Sequence, residues 1–399
     1  MDRVYLDWNA TAPLRPEARA AMLAAMDTMG NPSSVHAEGR AARALVENAR
    51  GHVAKLVGCD PEEVVFTSGA TEANVAILES DLFSDHIASP FVHDSVYATL
   101  AEWRSLEPHD PRAARRVFLL DAAHSGTVYD FSEAARRRGS IEEQVFVEPA
   151  STGTGSDTHQ LVLTHGDGET GLLFDAPALS AHLGSAEPRC VNIDVCQTAG
   201  RVPLHGLRTA REALTLSAHK LGGPAGTGAL ISDALVHPLI RGGGQEKGRR
   251  SGTENLVGIA GFGAAAQAAL RDLESGGWER IAKLRNILEE ALASASNETI
   301  FIGRDQLRLA NTSCFATPGW NGGTQVMQMD LAGYAISAGS ACSSGKVKQS
   351  RVLRAMGYDS ATASSAVRVS LGPTTTEAQV LGFAKTWAEA YRRWKQRAA

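Results

Sequence analysis

The chain has 399 residues, of which 43% are hydrophobic, and its 39 basic and 44 acidic side chains give a formal net charge of −5. This size predicts one large domain and one smaller one, and the charge balance argues against nucleic acid or an anionic membrane as partner. Five cysteines without a C-x-x-C pair indicate neither a disulfide framework nor a metal site, and the lack of a signal pattern or long apolar run favours the cytoplasm.

Short apolar runs alternate with helical patterns through the first two thirds of the chain. A helix is predicted at 33–56, and strands are predicted at 64–66, 117–120, 161–163, 191–195, 214–216 and 229–231. This alternation predicts an α/β domain around a largely parallel sheet, whose ligands bind beyond the strand ends. A long helical pattern at 253–296 leads out of that domain, and the succession of elements from 312 to 394 predicts a compact α+β domain.

The segment 67–72 lies between a predicted strand and a helix that begins near Ala70. Backbone N–H groups at a helix start, together with the Thr71 hydroxyl, suit a phosphate group. A simple helix cap would explain the same residues equally well.

Asp194 and Gln197 lie at the end of the buried strand predicted at 191–195. A carboxylate beside a pyridine nitrogen keeps that nitrogen protonated, so that the ring can accept the electrons of a carbanion. Gln197 could donate to a phenolic oxygen on the same ring. Taken alone, the pair is also compatible with an ordinary strand-end turn.

Lys220 follows the strand 214–216 and is flanked by Gly222 and Gly223. A lysine that is partly desolvated at a sheet edge has a lowered pKa, which makes its amine available for Schiff-base chemistry. An isolated lysine in this position would more often be a solvated surface residue.

Cys342 lies in a run of small residues at 337–345, and Arg368 lies on an apolar strand at 367–371. The glycines and serines predict an accessible loop, in which the thiol is a nucleophile rather than a buried apolar group. A guanidinium on an apolar strand needs a bidentate partner, either a bound carboxylate or an internal acid.

The chain resembles the cysteine desulfurases of the NifS and IscS type, within the class V aminotransferase group of fold-type I pyridoxal-phosphate enzymes. Segments along almost the whole chain carry this resemblance in sequence order: YLDWNATAP (5–13), GNPSSVH (30–36), FTSGATEAN (66–74), VHDSV (92–96), DVCQTAG (194–200), SAHKLGGP (217–224), GGGQEKGRRSGTEN (242–255), SAGSACSS (337–344) and VRVSLG (367–372).

The resemblance implies a large domain at 16–256 with a mainly parallel seven-stranded sheet between helices, and a small domain at 257–399 that carries the cysteine loop. The segment 1–15 would contribute to the active site and to the small domain.

The resemblance also implies roles for particular residues. Lys220 would bind pyridoxal phosphate and move the substrate Cα proton, Cys342 would receive the sulfur, and His93 would stack on the ring and transfer protons. The other cofactor-binding residues would be Asp194 at the ring nitrogen, Gln197 and Asp167 near the ring oxygen, and Ala70, Thr71, Ser217, His219 and, from a neighbouring subunit, Thr253 around the phosphate. Arg368 would bind the substrate carboxylate, with Asn9, Asn31 and His36 lining the substrate site.

The implied activity is conversion of L-cysteine to L-alanine, with sulfur transferred to Cys342 as a persulfide for iron–sulfur cluster assembly or another sulfur-transfer pathway. A homodimer and a sulfur-acceptor protein such as an iron–sulfur scaffold are the expected partners. Asp167 and Val92 depart from the family pattern, and they leave open a related class V lyase or transaminase, for example one like selenocysteine lyase. A homologue without cofactor is a further alternative.

Overall fold

The computed structural model describes residues 3–80, 83, 85–103, 105–106, 110, 116–119, 159–175, 190–207, 212–233, 238–339 and 349–398. The Cys342 loop and most of the segment 103–160 lie outside these ranges. Among the described residues, no helix combines the length and apolar character that a bilayer span requires.

A seven-stranded sheet forms the centre of the first domain. The first strand of the chain, β1 (Val4–Tyr5), lies outside this sheet. The strands of the sheet are β2 (Val64–Thr67), β3 (Asp85–Ala88), β4 (Arg116–Leu119), β5 (His159–Thr164), β6 (Cys190–Asp194), β7 (Glu212–Ser217) and β8 (Gly228–Ile231). Their spatial order is β2-β8-β7-β6-β5-β3-β4. The strands from β7 to β4 pair in parallel, while β8 is antiparallel to both neighbours. The predicted α/β fold with a mainly parallel sheet is confirmed.

Helices cover both faces of this sheet. They are α1 (Pro16–Met26), α2 (Ala37–Val57), α3 (Ala70–Leu78), α4 (Asp94–Trp103) and α5 (Leu256–Glu274). Side chains that alternate along a strand belong to opposite cores: Val64 and Phe66 pack with α2 and α5, whereas Val65 packs with α3. Burial on both faces explains why these strands read as continuous apolar runs in the sequence.

The second domain contains an antiparallel sheet in the order β12-β13-β10-β9, and a small sheet in which β1 pairs with β11. Its elements are α6 (Gly277–Ala295), β9 (Ile300–Phe301), β10 (Thr312–Ala316), α7 (Gly322–Leu331), β11 (Tyr334–Ala335), β12 (Ser337–Ala338), α8 (Arg351–Ala355), α9 (Ser360–Ser365), β13 (Ala366–Ser370) and α10 (Glu377–Ala398). Its core includes an aromatic cluster in which Trp387 stacks on Tyr391, with ring centroids 5.6 Å apart.

The helical pattern predicted at 253–296 is two helices, because Gly276 adopts the left-handed conformation (φ 71°) between α5 and α6. Phe262 and Ala266 of α5 belong to the core of the first domain, whereas Leu284 and Leu288 of α6 belong to that of the second. We therefore propose Gly276 as the domain boundary, in place of the boundary after residue 256 that the sequence suggested.

Candidate functional site

A cavity of about 610 Å³ opens at the carboxyl ends of the parallel strands, and residues of the second domain complete its wall. Thr164, Asp194 and Ser217, at or next to the ends of β5, β6 and β7, line it together with Arg368 of β13. Its volume lies in the range of about 300–1,000 Å³ that is usual for small-molecule sites, and its position is the one expected for an open α/β sheet.

Lys220 reaches the cavity from a single helical turn, Ala218–Lys220, that directly follows β7. Its Nζ donates to the carbonyl oxygens of Asn9 at 2.6 Å and Ala10 at 2.9 Å. Gly222 (φ 83°) turns the chain back immediately afterwards, against the backbone of Pro13. The N-terminal segment therefore holds the amine at the cavity wall.

The Asp194 carboxylate is fixed from behind by two hydrogen bonds. Oδ1 accepts from the backbone N–H of Cys196 at 2.9 Å, and Oδ2 accepts from Asn74 Nδ2 at 3.4 Å. Asn74 is buried on α3, and its own Oδ1 accepts from the Thr215 hydroxyl at 2.8 Å. These bonds hold the acid in one orientation at the end of β6.

Gln197 lies on the turn after β6. Its Nε2 donates to the Asn9 carbonyl at 3.1 Å, and its Oε1 accepts from Arg201 at 2.9 Å. Gly168 stands so close that a Cβ at that position would lie 3.0 Å from Gln197 Nε2. The absence of a side chain at Gly168 gives the amide its space at the cavity wall.

The N-terminus of α3 forms another part of the cavity wall, with Ala70, Thr71, Ser217 and His219. Glu72 fixes this turn, because it accepts from the Ser68 N–H at 2.7 Å and pairs with Arg250 at 2.9 Å. Burial, followed by the charge of Lys220, lowers the pKa of His219 to about 4. His219 is therefore a neutral imidazole at neutral pH. The backbone N–H groups at the start of α3 are donors of the kind that suits an anion.

His93 lies on the cavity wall just before α4. Its Nδ1 accepts from the backbone N–H of Ser95 at 3.1 Å and lies 2.9 Å from the Ser95 hydroxyl. Because a ring nitrogen that accepts an N–H bond carries no proton, the neutral ring holds its proton on Nε2.

Arg368 has the internal acid that the sequence left as one of two possible partners. Its Nη2 lies 2.6 Å from Asp7 Oδ1, and its Nη1 donates to the Gly168 carbonyl at 2.9 Å. Its Nε is buried and has no partner in the part of the chain that the structure describes. The ion pair fixes the guanidinium in the cavity wall while leaving a donor unused, which is compatible with a bound carboxylate as well.

Asp167 and Glu169 lie on the turn after β5. Asp167 Oδ1 accepts from the backbone N–H groups of Glu169 and Thr170 and from the Thr170 hydroxyl. All three bonds go to Oδ1 and orient the carboxyl group within its own turn. Because Asp167 also lines the cavity, its place near a ring oxygen stays a prediction. Burial, reinforced by the Asp167 charge, raises the pKa of Glu169 to about 7.

The cavity brings most of the predicted site residues together: Asn9, Ala70, Thr71, His93, Asp167, Asp194, Gln197, Ser217, His219, Lys220 and Arg368. The Asn9 side chain is buried and bonded to Arg201, Asn311, Thr312 and Gly168, so only its backbone faces Lys220. Cys342 lies outside the described residues.

Three predicted residues lie outside the cavity within this chain. His36 caps α2 by accepting from the Gly39 N–H, and it pairs with Glu38. Asn31 closes a turn by accepting from the Ser33 N–H at 2.9 Å, and Thr253 is exposed on the loop before α5. Turn and cap chemistry explains Asn31 and His36 without a ligand.

Sequence reasoning missed Asn74, Glu169 and Arg201. Asn74 belongs to a segment that carries the family resemblance, and Arg201 follows Gln197 by four residues. Closeness in the sequence to a predicted site residue or segment was the only feature that could have marked them as part of the site. Their partners lie elsewhere in the chain, since Asn74 contacts Asp194 and Arg201 contacts Asn9.

The arrangement fits pyridoxal phosphate. An amine, an oriented carboxylate, an amide donor and a helix N-terminus face one cavity, and they match the aldehyde, ring nitrogen, ring oxygen and phosphate of that cofactor. Each of these groups is held by a hydrogen bond or a backbone turn of the chain itself.

Comparison with known proteins points to the same chemistry. Residues 4–85 and 135–383 match the family described as Aminotransferase class-V. A cysteine desulfurase of Cereibacter sphaeroides is 37% identical, over 95% of this chain and 93% of its own. An IscS-like cysteine desulfurase of Mycobacterium tuberculosis is 33% identical, over 94% of this chain and 93% of its own. The X-ray structure of a NifS-like protein from Rickettsia africae superposes with a TM-score of 0.82 at 28% identity, covering 98% of this chain and 99% of that one.

Proposed function

We propose that this chain, which belongs to the class V aminotransferase family and within it to the cysteine desulfurases, converts L-cysteine to L-alanine and transfers the sulfur to Cys342. It is a pyridoxal-phosphate-dependent enzyme. The observation that carries the proposal is that Lys220, Asp194, Gln197 and the start of α3 line one cavity.

When bound, pyridoxal phosphate supplies a ring that accepts the electrons of a carbanion at the substrate Cα. Lys220 holds the cofactor and then moves the proton at the substrate Cα. Asp194, oriented by Asn74 and the Cys196 N–H, keeps the ring nitrogen protonated, and Gln197 donates to the ring oxygen. The N–H groups at the start of α3, with Thr71 and Ser217, hold the phosphate.

Arg368 binds the substrate carboxylate through its remaining donors, since Asp7 and the Gly168 carbonyl occupy only part of the guanidinium. This orients the Cα–H bond of the substrate toward Lys220. His93 carries its proton on Nε2 and transfers a proton to or from sulfur.

Cys342 attacks the substrate sulfur as the thiolate: a new S–S bond forms, the substrate Cβ–S bond breaks with its electron pair left on carbon, and protonation of that carbon completes alanine. The support is positional, because Gly339 and Arg351, on either side of Cys342 in the sequence, both line the cavity.

We also propose a homodimer, in which Thr253 serves the phosphate site of the neighbouring subunit. Its exposure outside the cavity of its own chain is what such a role requires. A sulfur-acceptor protein such as an iron–sulfur scaffold takes the persulfide sulfur. The cytoplasm is the proposed location because a reducing compartment keeps the Cys342 thiol free of disulfides between turnovers.

The class V lyase or transaminase alternative rested on Asp167 and Val92. The Asp167 carboxylate bonds within its own turn, and the Val92 side chain is buried in a hydrophobic cluster. Both residues also line the cavity, so the comparison of cysteine with selenocysteine as substrate, and not the geometry, separates this alternative from the desulfurase.

The test is a cysteine-dependent persulfide assay on the purified protein, with alanine and sulfide release measured from cysteine and from selenocysteine. Lys220→Ala should lose the visible absorbance of the bound cofactor, and Cys342→Ala should keep that absorbance but form no persulfide. Cys59→Ala, a thiol at the end of α2 far along the chain from either residue, is the matched control and should behave as the parent. Persulfide formation by Cys342→Ala equal to that of the parent would refute the assignment of Cys342.

A further inference from the structure

Arg201 is a buried arginine without an acidic partner in the described part of the chain. It is 5% exposed, directly behind the cavity wall. Burial, reinforced by the charge of Arg368, lowers its pKa to about 10. Burying a cation without a carboxylate is costly, so the contacts that the guanidinium makes instead require an explanation.

Its hydrogen bonds all go to neutral oxygens of segments that form the site, and the guanidinium also lies over the Trp278 ring, 5.9 Å from the ring centroid. Nη1 donates to Asn9 Oδ1 at 2.7 Å and to Gln197 Oε1 at 2.9 Å. Nη2 makes longer contacts to the backbone carbonyls of Trp8 at 3.5 Å and Lys220 at 3.4 Å. One side chain thus joins the N-terminal segment, the turn after β6 and the turn after β7.

The contact to Gln197 decides which end of its amide faces the cavity. The two ends of a glutamine amide have almost the same shape, but a guanidinium offers only donors. Gln197 Oε1 must therefore point toward Arg201, which leaves Nε2 on the cavity side, where it now donates to the Asn9 carbonyl at 3.1 Å.

The same logic applies to Asn9. Its Oδ1 accepts from both Arg201 and Asn311 Nδ2, so the residue is held from behind. Its backbone carbonyl faces the other way and accepts from Lys220 Nζ at 2.6 Å. Arg201 thereby supports two of the groups that meet at the cofactor position.

We propose that Arg201 is a positioning residue that orients the Gln197 amide so that its N–H groups, and not its oxygen, face the ring oxygen of the bound cofactor. This inference rests on the proposed function. It assigns to Arg201 an effect that is transmitted through Gln197 and not through its charge. The charged or titratable groups that influence Arg201 are Arg368 on β13 and the Cys196 thiol on its own turn.

The first measurement is the pH midpoint of the visible absorbance change of the cofactor-loaded protein, together with the dissociation constant of the cofactor. Arg201→Met removes every donor, so Gln197 can turn its oxygen toward the ring. The ring oxygen would then lose the hydrogen bond that the Gln197 amide donates to it. This loss should raise the pH midpoint by about one unit, which is a tenfold change in the proton affinity of the bound cofactor. Arg285→Met is the matched control, because Arg285 also donates to a carbonyl, that of Leu309 at 2.7 Å, but it lies on α6 outside the cavity lining. Its midpoint should be unchanged.

The second measurement separates orientation from charge. In a Gln197→Ala background, Arg201→Met should cause no further shift if Arg201 acts through Gln197. The same upward shift with and without Gln197 would overturn the proposal, as would an unshifted midpoint in the single variant.

Arg201→Lys provides a variant that keeps the charge but loses the planar fork. It should shift the midpoint in the same direction as Arg201→Met, and again only when Gln197 is present. A parent-like midpoint in a folded Arg201→Lys protein would contradict the orienting role. Failure of the proposed function is distinguishable, because the unmodified protein would then lack the visible band or the persulfide activity altogether.

Discussion

Glu169 provides the sharpest pH-dependent prediction that the structure supports. Its side chain is 8% exposed, and its Oε1 has no hydrogen-bond partner among the residues that the structure describes. Burial and the nearby Asp167 charge raise its pKa from 4.5 to about 7, although Ser350 and two arginines partly oppose this. Glu169 is thus a carboxyl group that holds a proton in the folded state at a pH where the unfolded chain has lost it.

The magnitude follows from proton linkage. A rise from 4.5 to about 7 corresponds to roughly 3 kcal/mol at 1.36 kcal/mol per pKa unit. Because the folded pKa is the higher one, this stability is fully present below pH 4.5 and is lost as the pH rises through 7. Between pH 5 and pH 8 the loss attributable to Glu169 is roughly 2.5 kcal/mol.

The perturbation is Glu169→Gln, which keeps the shape of the side chain but cannot ionise. We expect the free energy of unfolding of the variant, relative to the parent, to rise by roughly 2.5 kcal/mol between pH 5 and pH 8. Urea unfolding at several pH values measures this difference, and other titrating groups cancel in it.

Glu290→Gln, at an exposed position on α6, is the control and should give a difference that does not vary with pH. If the Glu169→Gln difference were equally flat, the carboxyl would be ionised in the folded protein throughout this range. The argument from burial would then be wrong.

Further predictions concern buried charges and a buried histidine. Arg50→Met should lower the free energy of unfolding, measured in urea, by about 3–5 kcal/mol. The reason is that the Glu246 carboxylate, 2% exposed and 2.8 Å from Arg50, loses its partner. Adding Glu246→Gln should recover part of that loss. If the Arg368 guanidinium binds the substrate, Arg368→Gln should raise KM for cysteine at least tenfold in steady-state assays. Asp7→Asn should keep KM within a few-fold of that of the parent. Equal effects of the two variants would indicate that the Arg368–Asp7 ion pair is purely structural. Burial lowers the pKa of His165 from 6.5 to about 4. The stability that the neutral ring contributes above pH 6.5 should therefore be lost as the pH falls through 4. His165→Phe should reduce the loss of unfolding free energy over this pH range by up to roughly 3 kcal/mol.

The sequence by itself located the chemistry on the sheet. Asp194 lies at the end of one apolar run and Lys220 follows another. Because the carboxyl ends of parallel strands meet at one edge of the sheet, their convergence was predictable before any coordinates. The helix predicted at 33–56 ends at Gly58, which adopts the left-handed conformation (φ 76°). These features are local, because a strand end or a helix stop depends on residues next to one another in the chain.

Tertiary structure decided which polar groups support that chemistry. Asp7 pairs with Arg368 across 361 positions, and Arg201 reaches Asn9 across 192. An amphipathic pattern indicates that a helix has a buried face but not which core that face joins. The sequence therefore could not decide between a domain boundary after residue 256 and the one that we propose at Gly276. The residues next to His36 in the sequence are compatible both with a helix cap and with a ligand contact, so they could not decide which role it has. Contacts between distant segments carry no local periodicity, so only the folded chain reveals them.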